Sequence, residues 1–313
     1  MLKRLHWILL FTCGTFTYIA LYLAYHVSWH CLLNDIECVF EDLTKVNITL
    51  PLRKNSTCSE RATSRGRNQK VISYCFYGSY KSPRKYFEGI TKNAALIEKY
   101  YPGWVMRVYS NTTMLPAMVH IQENFSHVDF CLINNIEDHG NLEETYGMLW
   151  RFLPMSDPSV DVFMSRDLDS LIIPRELAAV NEWLNSNKTF HIMRDHPQHN
   201  FEMLGGMWGA RLSVNRTLFQ DLLVKMLNLG SGKHLYKGLD QLLLRKIVWP
   251  HTDGGCILHD SYQCEDSKLR HETWRPWPSE REKFQFVGAA KPDQVVSAEC
   301  PKSCRKQENW TYC

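Results

Sequence analysis

Two aspartates, Asp167 and Asp169, stand one residue apart directly after an apolar segment, in the sequence SRDLDS. In extended backbone, residues i and i+2 point to the same side, so both carboxylates can face one ligand. Two acidic oxygens at a strand end suit a hard divalent cation such as Mg²⁺ or Mn²⁺. Such a cation can hold a diphosphate and stabilise the charge that it gains as a leaving group. The alternative is a pair of solvated carboxylates in a turn.

The segments that would position these aspartates alternate between strand and helix patterns after Lys70. The predicted strands are Val71 to Tyr77, Trp104 to Tyr109, Val128 to Ile133, Val160 to Met164 and Phe190 to Met193. The predicted helices are 84–100, a helix opened by a capping box at Asn141 and ending near Pro154, and Pro174 to Asn185. This alternation predicts an α/β domain with a mostly parallel sheet covered by helices. Because ligands gather at the carboxyl ends of such strands, the two aspartates occupy a favourable position.

The N-terminal segment predicts a membrane anchor. Residues 7–25 contain no charged side chain, and a helix of that length spans roughly 30 Å, the thickness of a bilayer's hydrocarbon core. Basic residues precede the segment and acidic residues are the next charges after it, so the positive-inside rule leaves residues 1–6 in the cytosol. A cleavable signal peptide is the alternative, but its apolar region would be shorter. We therefore expect a type II signal anchor over residues 7–26.

Sequons and cysteines indicate that the rest of the chain is lumenal. Seven N-x-Ser/Thr sequons occur, at Asn47, Asn55, Asn111, Asn124, Asn187, Asn215 and Asn309. The chain also has 11 cysteines. One of them, Cys13, lies in the predicted span, so an even number remains for the lumenal part. Both features favour the secretory pathway, where disulfides form and asparagines are glycosylated.

The spacing of the cysteines suggests some of the pairs. Cys256 and Cys264 lie eight residues apart around a polar segment, and we predict that they form a disulfide. Cys300, Cys304 and Cys313 are expected to pair among themselves or with cysteines of residues 27–69, the stem described below. Cys75 and Cys131, set in apolar runs, could instead be buried free thiols. A zinc site is disfavoured because the C-terminal cysteines lack a matching second pair.

Composition shifts divide the chain further. Residues 27–69 are polar, carry two sequons and predict a lumenal stem. Residues 70–291 are predicted to form the α/β domain that carries the two aspartates, and residues 292–313 a cysteine-rich tail. The net charge of +3 is too small for a nucleic-acid-binding protein.

The Asp-x-Asp motif after a strand, in a lumenal domain behind one N-terminal anchor, resembles the GT-A superfamily of nucleotide-sugar glycosyltransferases. The resemblance covers roughly residues 70–290, and the strings FHIMRDHP and LGGMWGAR are similar to those of an uncharacterised set of predicted Golgi type II glycosyltransferases. SYCFYG resembles the first strand and turn, which implies that Tyr77 and Gly78 cradle the nucleotide base. GMLWRF resembles the helix before the Asp-x-Asp strand, which implies nucleotide-sugar contacts by Trp150 and Arg151.

Two later motifs extend the resemblance. Gly238-Leu-Asp240-Gln241 is similar to the Asp-Gln pair that several retaining families hold near the transferred sugar, and His259 resembles the late histidine that completes the metal shell. The order of these motifs matches glycogenin-like enzymes. Asp240 could instead cap a helix, and His259 could be a core or surface histidine.

Three further positions are candidates beside the sugar or the diphosphate. Asp195 follows a buried strand and is a second candidate carboxylate at the sugar. Gly205 and Gly206 could let the backbone approach the sugar closely, or could mark a bulged strand. Arg166 could contact phosphate oxygens or form a structural ion pair.

Together these patterns predict a metal-dependent glycosyltransferase of the Golgi lumen. Asp167, Asp169 and His259 would hold Mn²⁺ or Mg²⁺ on a UDP-sugar, and the acceptor would be a glycan, glycoprotein or glycolipid hydroxyl. The Asp240–Gln241 pair favours retention of configuration, whereas inversion would need a base such as Asp240 or Asp195. The alternatives are an inactive relative acting as a Golgi scaffold or lectin, and a metal-dependent lumenal hydrolase.

Overall fold

The computed structural model describes residues 55–77, 84–111, 116–136, 138–232, 236–266, 273–291 and 293–313. Its strands are β1 (Gln69–Phe76), β2 (Val105–Ser110), β3 (Val128–Leu132), β4 (Val160–Ser165), β5 (Phe190–Arg194), β6 (Trp208–Arg211), β7 (Cys256–Asp260) and β8 (Trp274–Arg275). They form one sheet in the order β3-β2-β1-β4-β6-β5-β7-β8. The predicted α/β fold with a mostly parallel sheet is confirmed.

Strand direction decides which loops meet at the site. β1 pairs in parallel with β2 and β4, and β5 pairs in parallel with β7. β6 is antiparallel to both of its neighbours, β4 and β5. The carboxyl ends of β1, β4, β5 and β7 therefore lie at the same edge as the beginning of β6. The segments that follow β1, β4 and β5 meet the loop before β6 at this edge.

Helices cover the sheet. They are α1 (Glu60–Ser64), α2 (Arg84–Tyr100), α3 (Pro116–Asn124), α4 (Pro174–Leu184), α5 (Arg216–Leu229) and α6 (Leu239–Leu243). α2 buries Ile90, Ala94 and Ile97, and this helical spacing places one apolar stripe against the sheet core that includes Ile72 and Met106. α6 continues as a π-helical segment, Leu244–Val248, and a 3₁₀ turn, Trp249–His251.

The helix predicted from Asn141 to Pro154 is wrong in type and in its start. The structure has a 3₁₀ helix over Gly147–Ser156 instead. The Asn141 side chain accepts a hydrogen bond from the backbone N–H of Glu143 at 2.9 Å, which closes a local turn rather than capping a helix.

The last part of the predicted stem belongs to the folded domain. Cys58 forms a disulfide with Cys131 of β3, across a sequence separation of 73 residues. The backbone N–H of Thr57 donates to Asp157 at 2.7 Å, and Arg107 of β2 donates to the same carboxylate at 2.7 Å. Residues 55–69 therefore pack on the sheet, and the domain begins earlier than residue 70. The polar composition of residues 55–69 predicted a stem, but their polar side chains and backbone form hydrogen bonds with the folded domain.

The predicted Cys256–Cys264 disulfide is wrong. Cys264 pairs with Cys304, and Cys256 is a buried free thiol at the start of β7. The extended strand rises about 3.3 Å per residue and so carries Cys264 away from Cys256. Cys300 pairs with Cys313, as expected, but the same expectation is wrong for Cys304, whose partner Cys264 belongs neither to the C-terminal group nor to the stem. Cys131 is disulfide-bonded and Cys75 is free.

Predictions for the N-terminal region lie outside the described residues. These are the cytosolic tail 1–6, the anchor 7–26, the stem as far as residue 54, and Asn47. Among the helices of the described ranges, none is long and apolar enough to cross a membrane. The six sequon asparagines that the structure describes are all exposed: Asn55, Asn111, Asn124, Asn187, Asn215 and Asn309.

Candidate active site

A cavity of about 840 Å³ opens at the carboxyl edge of the sheet. It is lined from the β1 side by Tyr77, from the β4 side by Asp167 and Asp169, and from the loop before β6 by Gly205 and Gly206. A cavity of this size is in the range of small-molecule and cofactor sites.

The loop that carries the two aspartates is anchored between them. Leu168 is buried, and its carbonyl accepts a hydrogen bond from the Asn93 side chain of α2 at 3.3 Å. Gly89 of the same helix allows this approach, because a Cβ there would lie 1.9 Å from the Leu168 carbonyl oxygen. Asp167 and Asp169, on either side of Leu168, both line the cavity.

A buried guanidinium joins two of the cavity's carboxylates. Arg151 Nη1 donates to Asp167 Oδ1, and Arg151 Nη2 donates to Asp240 Oδ2 at 2.7 Å. Burial opposes the charge of Arg151, but the neighbouring Asp167 and Asp240 outweigh it, so the pKa of Arg151 is raised and it stays protonated. The Asp240 side chain is 4% exposed, whereas that of Asp167 is 38% exposed. Asp167 can therefore still bind a ligand, while Asp240 is held by the ion pair.

Two glycines make this arrangement possible. A Cβ on Gly205 would lie 2.2 Å from Arg151 Nη2 and 2.3 Å from Asp240 Oδ2. A Cβ on Gly206 would lie 2.1 Å from Asp167 Oδ2. The backbone of this loop thus packs directly against the charged side chains of the cavity. The glycines were predicted to let the backbone approach a sugar; in the structure the close approach is to these side chains.

One end of the cavity is rich in tyrosine. Tyr77, 43% exposed, lines it together with Tyr86. Burial raises the pKa of Tyr77 to about 12, so its phenol is neutral at pH 7. Trp150 packs edge-on against Tyr77, at 5.9 Å between ring centroids, and donates to the Leu142 carbonyl at 3.1 Å. Trp150 is therefore a buried support for Tyr77 and does not line the cavity as predicted; Gly78 lies outside the described residues.

Asp240 and Gln241 both line the cavity, at the start of α6. Gly238 precedes them with φ of 93°, a left-handed conformation that favours glycine. The structure therefore brings the Asp-Gln pair to the same cavity as Asp167 and Asp169.

His259 is not brought to this cavity. It is fully buried within β7, where its Nδ1 lies 2.9 Å from His191 Nε2 and its Nε2 lies 3.5 Å from a Glu182 carboxylate oxygen. Burial lowers the pKa of His259 and of His191. The predicted metal shell of Asp167, Asp169 and His259 is thus not assembled, because the strand directs the His259 side chain to a face of the sheet.

Asp195 is occupied by buried partners. Its carboxylate accepts hydrogen bonds from Arg175 at 2.9 Å and from Arg281 at 2.6 Å. Burial alone would raise the pKa of Asp195, but the two guanidinium groups and the Ser261 hydroxyl bring it to about 2. The carboxylate does not line the cavity, so the structure does not place it where a sugar would bind.

Arg166 lines the cavity, but its guanidinium is bound to buried partners. It donates to Glu176 at 2.8 Å, to the Ser165 carbonyl at 2.7 Å and to the Trp208 carbonyl at 3.1 Å. With these partners it fastens α4 and β6 to β4. The structural ion pair considered for Arg166 is what the structure shows.

The cavity also contains residues that the sequence patterns did not single out. Tyr86, Tyr146, Lys237 and His199 all line it. Of these, His199 had the clearest signal, since it lies in the same polar segment after β5 as Asp195.

The donor set fits a hard cation in part. Asp167 and Asp169 offer carboxylate oxygens to the cavity, the ligand type that Mg²⁺ and Mn²⁺ prefer. Within the described ranges, no group of three His, Cys, Asp or Glu side chains is placed to hold a metal. A cation would therefore take its remaining ligands from a bound diphosphate and from water, as is usual for Mg²⁺ at phosphate sites.

No protein-family model and no curated protein matches the sequence. Among solved structures, the chain is similar to a glycosyltransferase involved in the glycosylation of the major capsid of PBCV-1, with 16% identity and a TM-score of 0.36, over 62% of this chain and 82% of the other. It is also similar to 4-diphosphocytidyl-2C-methyl-D-erythritol synthase from Anaerococcus prevotii DSM 20548, with 9% identity and a TM-score of 0.39, over 62% and 87%.

A third similar structure is the mannosyltransferase PcManGT from Pyrobaculum calidifontis, in complex with GDP-Man and Mn²⁺. It is 12% identical, with a TM-score of 0.35, over 73% of this chain and 62% of the other. The similar structures include GT-A-type glycosyltransferases.

Proposed function

We propose that this chain is a glycosyltransferase that moves a sugar from a nucleotide-diphosphate donor to an acceptor hydroxyl. The observation that carries the proposal is the Asp167–Asp169 pair, which opens from the end of a central parallel strand into a large cavity. The tyrosine rings at one end of that cavity offer stacking surfaces for a nucleotide base.

Asp167 and Asp169 are the residues that would hold Mn²⁺ or Mg²⁺. When bound, the cation stabilises the negative charge that the nucleoside diphosphate gains as it leaves the sugar. Arg151 holds the Asp167 carboxylate through one oxygen, Oδ1, and leaves lone pairs of the other oxygen for a ligand. The buried guanidinium thereby fixes the orientation of this carboxylate, which is a requirement for a well-formed site.

The carboxylates of the cavity favour retention of configuration. Among the described residues, those that line it are Asp167, Asp169 and Asp240. Inversion needs a free carboxylate base at the acceptor, but the first two are assigned to the cation and Asp240 is paired with Arg151 at 2.7 Å. Asp240 and Gln241 are then suited to stabilise and position the transferred sugar rather than to remove a proton.

We also place this activity in the Golgi lumen, on a type II membrane protein anchored by residues 7–26. Three disulfides and the exposure of six sequon asparagines are the support for a secretory location. Peptide-N-glycosidase treatment of the full chain from secretory cells should increase its electrophoretic mobility. An unchanged mobility would reject the lumenal location.

The test of the reaction uses the full chain in detergent with a panel of UDP- and GDP-sugars and Mn²⁺. Release of nucleoside diphosphate, with and without a mixture of glycan acceptors, is the readout. We expect Asp167→Asn and Asp169→Asn each to lower turnover by at least about 100-fold with unchanged melting temperature, because each loses the negative charge that holds the cation. Asp253→Asn, at an exposed position before the amino end of β7 and outside the cavity lining, is the matched control.

The outcomes separate the alternatives. Turnover that survives both substitutions and chelation contradicts the metal site. A folded protein that binds nucleoside diphosphate with Mn²⁺ but transfers nothing is an inactive scaffold or lectin. Hydrolysis that added acceptors never alter identifies a hydrolase.

A further inference from the structure

A diphosphate held at Asp167 and Asp169, as proposed above, would divide the cavity into a nucleoside side and a sugar side. In a nucleotide sugar the diphosphate lies between the nucleoside and the sugar, so these two parts extend to opposite sides of Asp167 and Asp169. With the base at the tyrosine-rich end that follows β1, the sugar lies on the other side, toward β6 and β5. The cavity wall on that side includes His199, Leu204, Met207, Gly288 and Ala290.

His199 has a fixed tautomer. The backbone N–H of Asp195 donates a hydrogen bond to His199 Nδ1 at 3.0 Å, so Nδ1 is the acceptor nitrogen of the ring. The proton of the neutral imidazole is therefore on Nε2. Among the described residues, none accepts a hydrogen bond from this N–H, although His199 lines the cavity. The ring thus presents one oriented donor on the sugar side.

The charge state of the ring is also fixed near neutral pH. Burial lowers the pKa of His199 to about 4, and the positive neighbours Arg194 and Arg281 and the nearby His196 act in the same direction against the opposing Asp195. His199 is therefore a neutral donor throughout the range in which a lumenal enzyme works.

The surroundings keep the ring in place. The Asp195 carboxylate accepts from Arg175 and from the backbone N–H of Val287 at 2.9 Å, and Arg281 donates to the Asp195 carbonyl at 3.0 Å. Beside the ring, a Cβ on Gly288 would lie 3.2 Å from His199 Cε1, so the backbone there packs closely against the imidazole. The buried Asp195 network thus supports a donor in the cavity, although its own carboxylate does not reach it.

We propose that His199 is a sugar-recognition residue, whose Nε2–H donates a hydrogen bond to an oxygen of the transferred sugar. This inference rests on the proposed glycosyltransferase function and names one determinant of its donor specificity. A pre-oriented neutral donor selects an accepting oxygen at one position of the sugar ring, and it makes no contact with the nucleoside diphosphate.

The test compares binding of two ligands to the full chain by calorimetry in the presence of Mn²⁺. One is the nucleotide sugar that the wild-type protein turns over; the other is its nucleoside diphosphate without the sugar. For His199→Ala we expect roughly tenfold weaker binding of the nucleotide sugar, equivalent to about one hydrogen bond. Binding of the nucleoside diphosphate should be unchanged.

Two further variants make the test specific. His199→Gln, whose amide can donate from a similar position, should recover part of the lost affinity and provides a second variant if the alanine protein is unstable. His120→Ala removes an exposed histidine of α3 that does not line the cavity and should bind both ligands as the wild type does. The ratio of wild-type to His199→Ala affinity should stay constant from pH 5.5 to 7.5, because the ring does not titrate there.

Equal weakening for both ligands, or unchanged affinity for the nucleotide sugar in both His199 variants, would overturn the inference and leave the proposed function intact. Failure of the wild-type chain to turn over any nucleotide sugar would instead reject the proposed function, and this inference with it.

Discussion

The substitution Gly206→Ala should lower turnover strongly and stability only moderately. The Cβ of Gly206→Ala would lie 2.1 Å from Asp167 Oδ2 and 2.6 Å from its Cγ. Ordinary contact begins near 3.4 Å, so the carboxylate must withdraw by more than about 1 Å. A misplacement of about 1 Å at a reacting centre can lower activity about 100-fold. We therefore expect a loss of roughly this size in turnover by Gly206→Ala.

The stability of the same variant should fall much less. The two closest clashing atoms belong to the end of a side chain that is 38% exposed, so the Asp167 carboxylate can shift toward solvent if its hydrogen bond to Arg151 lengthens. Overpacking costs about 1–3 kcal/mol in general, and we expect a cost in this range. Gly205→Ala is the informative contrast, because its Cβ would meet the buried Arg151 and Asp240, at 2.2 and 2.3 Å, which have no room to move. That variant should lose both stability and activity.

The assay is release of nucleoside diphosphate by the full-length variants, together with thermal melts. Gly255→Ala is the matched control, since its Cβ would meet no atom closer than 3.9 Å. If Gly206→Ala retained wild-type turnover and wild-type Mn²⁺ dependence, the position of Asp167 would not matter for the reaction, and the assignment of this carboxylate to the metal site would be refuted.

Two further predictions concern stability. Burial would raise the pKa of Asp157, but Arg107 and the hydroxyl donors lower it from 3.8 to about 2. Because the pKa is lower in the folded state than in the unfolded state, this carboxylate stabilises the fold above pH 4. About 2 kcal/mol of unfolding free energy should be lost as the pH falls toward 2. Denaturant titrations across this pH range should show the fall in unfolding free energy. If the unfolding free energy of Asp157→Asn depended on pH as steeply as that of the wild type, the assignment of this loss to Asp157 would be contradicted. Cys58→Ser opens the disulfide that closes 73 residues and should lower the unfolding free energy by about 2–4 kcal/mol. A variant as stable as the oxidised wild type would show that residues 55–69 do not need this bond.

Local sequence patterns predicted the long elements well because these elements bury continuous apolar faces. The strand predicted from Trp104 to Tyr109 is Val105–Ser110, and the helix predicted over 84–100 has the same bounds in the structure. β6 was missed since it has four residues, one of them Gly209, and no alternation that would indicate a strand. Yet this short antiparallel strand brings Gly205 and Gly206 to the carboxyl edge beside Asp167.

The site residues divide according to whether they follow a strand or lie within one. Asp167 and Asp169 come after the last residue of β4, so they are free of the sheet's alternation and reach the cavity at its edge. His259 is the fourth residue of β7, and pleating directs its side chain to a face of the sheet, where it meets His191 of β5.

Asp195 follows β5 directly, yet position alone did not predict what its carboxylate would do. Arginines from two distant segments, Arg175 and Arg281, converge on it, and no local pattern of the sequence contains that pairing. Their charges hold the carboxylate in the interior, while the backbone N–H of the same residue turns toward His199. A polar residue at a strand end can therefore serve the site through its backbone while its side chain serves the fold. The histidine four residues on, rather than the aspartate, is the group that reaches the cavity.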